Sequence, residues 1–178
     1  MFLIGRVMLF IHQPNEYDGL VQSTFSRELR GTADDTSFEH NFTVRSFKPS
    51  EDRTKYILWK LSKPTGETTL NLAEVQTEHI MPQTLDDAWK TILSIEAGNQ
   101  LEVMHQEYLN KIGNLTLVKG KWNESMSNGS FDQKKVHYVK SEFATTKELA
   151  SRSHWGFKEI GERSGDLAKQ ATQIWGWT

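Results

Sequence analysis

At 178 residues the chain has room for one domain with a core of its own, or for one domain and a helical extension, but not for two large domains. Its composition, 37% hydrophobic and 25% charged with six tryptophans, is that of a folded globular protein. The absence of cysteine excludes disulfides, thiolate zinc sites and a cysteine nucleophile, and fits a reducing cytoplasm. A net charge of −2 carries no overall basic signature of a nucleic-acid partner, yet the charge is segregated. Between residues 71 and 110 Lys90 stands alone among the acids Glu74, Glu78, Asp86, Asp87, Glu96, Glu102 and Glu107. From 119 to 140, lysines 119, 121, 134, 135 and 140 outweigh Glu124 and Asp132.

The opening "MFLIGRVMLFIHQP" is apolar, but too short to span a bilayer and without the basic lead or cleavage site of a signal peptide. It reads as a packing segment, and as the interior of a longer chain. "NEYDGLVQSTFSRELRG" predicts a helix from about Glu16 to Arg30. Phe38 and Phe42, four apart, predict a short helix. "PSEDRTKYILWKLSKP" predicts another, with Ser50 to cap, acids at its positive end, a stripe of Ile57, Leu58 and Leu61, and Pro64 as a stop.

After the linker "TGETT" the broken alternation of "LNLAEVQTEHIMP" predicts a strand, and the shift of composition near residue 65 divides a helical extension, 1–64, from a domain, 65–178. Two helices, Asp86 to Glu96 and Leu101 to Lys111, are parted by Gly98-Asn99. "NLTLV" is a second strand, and "KWNESMSNGS" holds two helical turns closed by Asn128-Gly129. Ser130 with Gln133 is a capping box for "FDQKKVHYVKSEF", and Thr145 with Glu148 repeats it. The tail from Trp155 to Trp177 is helical despite its glycines. The fold class is α+β, predominantly helical, with strand, insertion, strand and short helix at its centre.

Six histidines invite a search for metal ligands, but His12, His40, His105, His137 and His154 have no partner at a telling spacing. His79 follows Glu78 directly. Imidazole can take a proton from water at neutral pH, its ordinary pKa being about 6.5, while a carboxylate offers a hard cation one oxygen. Consecutive strand residues face opposite ways, so the two share a site only where the strand ends, as Pro82 implies. A magnesium-like ion keeps much of its water and needs few protein ligands; one carboxylate and one amide oxygen, from Asn114 or Asn123, suffice.

The ordered set "EHIMPQ", "GNLTLV" and Asn123, on a strand, strand, helix frame, resembles the ββα-metal (HNH) motif. With "SN..F..K…Y..S" and the later "W…I..R…L…IW" it looks like the C-terminal nuclease domain of GmrSD-type modification-dependent restriction enzymes. The resemblance is strongest from Val75 to Ser141, looser to Trp175, and weak back to "KYILWKL". It implies an HNH core embedded in a helical domain and a metal-dependent DNA endonuclease, nicking or cutting both strands. His79 falls at the position of the general base and Glu78 at that of the first metal ligand, often aspartate elsewhere. Asn114 matches the asparagine that braces the loop, and Asn123 completes the metal site. It implies Mg2+, or Mn2+ in its place, and a partner sensor domain with nucleotide-driven control; no P-loop occurs in this chain. Lys119, Lys121, Lys134 and Lys135 follow the motif as phosphate contacts. Two other readings are a catalytically silent DNA-binding or interaction module and a nuclease for RNA.

Overall fold

The computed structural model describes residues 34–62, 72–120, 122, 126 and 128–175. The helix expected at Glu16 to Arg30, the apolar opening run, the linker near residue 65, Lys121 and Asn123 lie outside them. The described residues form an α+β fold, predominantly helical, around one two-stranded sheet.

Helix α1, Asp35–Val44, starts where the Asp34 carboxylate accepts from Ser37 N–H, and buries Phe38 and Phe42 as their spacing predicts. Helix α2, Asp52–Ser62, buries Ile57, Leu58 and Leu61. Strand β1, Val75–His79, pairs antiparallel with β2, Leu115–Lys119, in a register that sets His79 against Leu115 and Val75 against Lys119. Between them lie α3, Asp87–Ala97, capped by Asp86, and α4, Leu101–Leu109. Gly98, at φ 55°, separates them in a backbone region that a residue without Cβ enters freely. Helix α4 ends before Lys111, because Lys111 bridges to Ser46.

Beyond β2, Gly120, Trp122 and Met126 are helical. Helix α5, Phe131–Tyr138, opens on the Ser130–Gln133 capping box with both bonds made. The second expected box is not formed. Helix α6, Ala144–Lys147, begins one residue before Thr145, with Phe143 at its cap and no side-chain bond there. The Thr145 hydroxyl instead meets that of Ser62 at 2.7 Å, so a tertiary partner replaces the local one. Helix α7, Phe157–Trp175, closes the described chain.

β2 separates two apolar clusters. Leu115 and Leu117 face one that contains Phe42, Leu58, Phe143, Leu167 and Trp175; Val118 faces the other, with Ile80, Trp89, Trp155 and Ile160. Thus α1 and α2, which precede the compositional boundary near residue 65, pack into the same core as the strands that follow it. Helix α7 belongs to both clusters, one at each end, and ties them together.

Candidate active site

Because β1 ends at His79 and the chain then turns toward Pro82, Glu78 and His79 line one cleft instead of pointing to opposite faces. The cleft, about 260 Å³, is completed by Pro49, Thr77, Gln83 and Asn128. A larger one, about 420 Å³, lies between α2, α6 and α7; its walls include Ser62, Thr145, Glu148 and Gln170 but no histidine.

His79 is 8% exposed, and both its ring nitrogens are engaged. Nε2 lies 3.0 Å from Asn110 Oδ1, and Nδ1 lies 3.3 Å from the amide nitrogen of Gln83. Burial pushes its pKa below the ordinary imidazole value; the bond to Asn110 opposes this, and the charges of Lys134 and His105 add to it. The ring therefore favours the neutral form, the one that can accept a proton.

The loop after His79 is held by Asn114, fully buried. Its Oδ1 accepts from Met81 N–H at 2.7 Å, its amide donates to the carbonyls of Met81 at 3.0 Å and Leu109 at 2.9 Å, and its own carbonyl accepts from Ile80 N–H at 2.9 Å. His105 Nε2 adds a donor to the Pro82 carbonyl at 2.9 Å. Asn114 is itself clamped, since the Arg163 guanidinium donates to the carbonyls of Gly113 and Leu115, at 2.6 and 2.9 Å, on either side.

Glu78 is 5% exposed, and its Oε1 lies 2.6 Å from the ammonium of Lys134, which is fully buried and also donates to the His79 carbonyl at 2.7 Å. Burial raises the Glu78 pKa and lowers that of Lys134, and the attraction between the two works against both shifts. Lys134 is thus misassigned as a phosphate contact. Phe131, Lys134 and Tyr138 make up the inward stripe of α5, and the ammonium is spent on a buried carboxylate. The spacing of Lys134 from Phe131 and Tyr138, three and four residues, was the available signal.

Lys119 pairs with Glu142 and is half-buried; Lys135 pairs with Asp132 at 2.7 Å and donates to the Arg152 carbonyl. Lys121 and Asn123 lie outside the described residues. Among the described residues no group of three or more histidines and acids could hold a metal ion by itself. Sequence reasoning also missed Asn110, which bonds His79 from the end of α4, and Pro49, which brings the loop after α1 to the cleft.

The sequence pattern of the GmrSD restriction endonucleases, C-terminal domain, matches residues 32–170. The chain belongs to that family. The match takes in α1 and α2 as well as both strands, in keeping with their shared core. No curated protein matches the chain. GmrSD C-terminal domains are restriction endonuclease domains, so nuclease is the functional class of this domain. None of the described helices of this GmrSD domain is long and apolar enough to cross a membrane.

Proposed function

We propose that this chain is a metal-dependent endonuclease module that hydrolyses phosphodiesters of DNA, with His79 as general base. The observation that carries the reading is a buried imidazole lining a cleft, beside a carboxylate, at the start of a loop that Asn114 holds through the backbone. On this reading β1, β2 and the helical residues Gly120, Trp122 and Met126 are the ββα core.

The donor set suits a hard cation that retains most of its water. Glu78 offers a carboxylate lining the cleft, with one oxygen held by Lys134, and Asn123 is the second oxygen donor we propose. Mg2+, or Mn2+ in its place, would neutralise charge on the phosphate and on the leaving 3′ oxygen. His79 takes a proton from water as the water oxygen bonds to phosphorus. The P–O3′ bond then breaks, the 3′ oxygen leaves by taking a proton from solvent water, and the imidazolium returns its own proton to solvent. Lys119, Lys121 and Lys135 are proposed to meet neighbouring phosphates, giving affinity without choice of sequence; for Lys119 and Lys135 this means exchanging an acidic partner for DNA. Selection of modified DNA would fall to a partner sensor domain.

A second reading, a binding module without chemistry, draws on the burial of Glu78 and its neutralisation by Lys134. Calorimetry with Mn2+ and nicking of supercoiled plasmid separate the two. The endonuclease reading expects ion-dependent nicking abolished by chelation, and ion binding weakened in Glu78→Gln. No ion binding and no nicking would favour the binding module. Parallel RNA of the same sequence tests substrate class.

A further inference from the structure

We infer that Asn110 is the positioning residue for His79: it holds the ring in the Nε2–H tautomer and turns Nδ1 toward the cleft as the proton-accepting nitrogen. Two bonds made by different residues require the same tautomer. Asn110 Oδ1 can only accept, so the Nε2 atom 3.0 Å away must carry the proton. The Gln83 amide nitrogen can only donate, so the Nδ1 atom 3.3 Å away must present its lone pair. Gln83 is exposed and lines the cleft, whereas Asn110, at the end of α4, is not among the cleft's lining residues; the unprotonated nitrogen is therefore on the cleft side, where substrate water reaches it by displacing the Gln83 amide.

Asn110 is suited to hold a ring in register. Its carbonyl accepts from Phe47 N–H at 2.7 Å, the next residue bridges to Ser46, and the preceding carbonyl, of Leu109, accepts from Asn114. The asparagine that orients the ring is thus anchored to the segment between α1 and α2 and to the residue that braces the His79 loop. Because the partner is a neutral amide, it fixes orientation while favouring the imidazolium less than a carboxylate there would. Loss of such a partner typically costs 10- to 100-fold, through misplacement of the reacting nitrogen.

The catalytic part of this inference rests on the proposed role of His79, but its first readout does not. Long-range proton–nitrogen correlation on the full chain with 15N-labelled histidine, at about pH 8, where the ring is neutral, reports which ring nitrogen of His79 is protonated. We expect the Nε2–H form in the wild type, a mixture of tautomers in Asn110→Ala, and the Nε2–H form again in Asn110→Asp, which restores the acceptor. Plasmid nicking by Asn110→Ala should lose about 10- to 100-fold in kcat with KM within about twofold, and Asn110→Asp should recover part of that loss. An Nδ1–H ring in the wild type, or an Asn110→Ala protein with tautomer and turnover unchanged, would overturn the inference. If the wild type does not nick DNA at all, the proposed function fails while the tautomer spectrum still decides the role of Asn110.

Discussion

Burial acts in opposite chemical senses on the neighbours Glu78 and His79, favouring the uncharged form of each, and only Glu78 has a buried counter-charge to resist it. Since the folded pKa of His79 lies below the unfolded value of about 6.5, its contribution to stability is present above about pH 6.5 and is lost as pH falls through the folded value. Nicking should accordingly rise with pH through a value below 6.5 and then level off, and thermal unfolding of His79→Ala should lose part of the wild-type acid sensitivity. An acid limb above that of free imidazole would contradict this. Removing the buried ammonium in Lys134→Met strands the Glu78 charge and should cost about 3 kcal/mol or more in denaturant unfolding, with part of the loss returned by adding Glu78→Gln. A loss below about 1 kcal/mol would mean that the pair is not buried as described. The Glu78-His79 pair was legible in the sequence because Pro82 marks the end of the strand. Asn110 and the true place of Lys134 were not, since their partners lie 31 and 56 residues away in the chain.

Elements that hold the site are set by close backbone approach as much as by caps. At Gly113, just before Asn114, an added Cβ would stand 2.1 Å from the Ile160 carbonyl and 2.5 Å from the Ser164 hydroxyl, while Gly113 N–H donates to that hydroxyl at 3.0 Å. Gly113→Ala should therefore push α7 off the turn and cost about 3 kcal/mol in thermal or denaturant unfolding. An unchanged midpoint would show that α7 does not rest there. Arg163 closes the same contact from a buried position, with burial lowering its pKa to about 10, which leaves it charged at neutral pH. The cap made the start of α5 readable, because Ser130 is a local acceptor that needs no tertiary help; Asp34 and Asp86 accept in the same way at the starts of α1 and α3. The Thr145 box failed for the converse reason, since Ser62, 83 residues earlier, supplies its partner.

Across the whole molecule, the helices before the compositional boundary and the strands after it share one apolar cluster, and Phe47 and Pro49 reach from the earlier part to Asn110 and the cleft. We therefore predict one cooperative transition for the described region. Phe42→Ala, fully buried among Phe38, Phe47 and α7, should cost about 4 kcal/mol and lower the midpoint of helix- and tryptophan-reported unfolding together. Separate transitions for the two probes would support a division at residue 65. That division looked natural in the sequence because composition changes there, whereas the packing across it depends on long-range contacts that no local pattern carries. In a plasmid assay with Mg2+, the wild type should nick DNA and His79→Ala, folded to the same thermal midpoint above about pH 7 within about 5 °C, should nick at least about 100-fold more slowly; equal rates for the two proteins would contradict it.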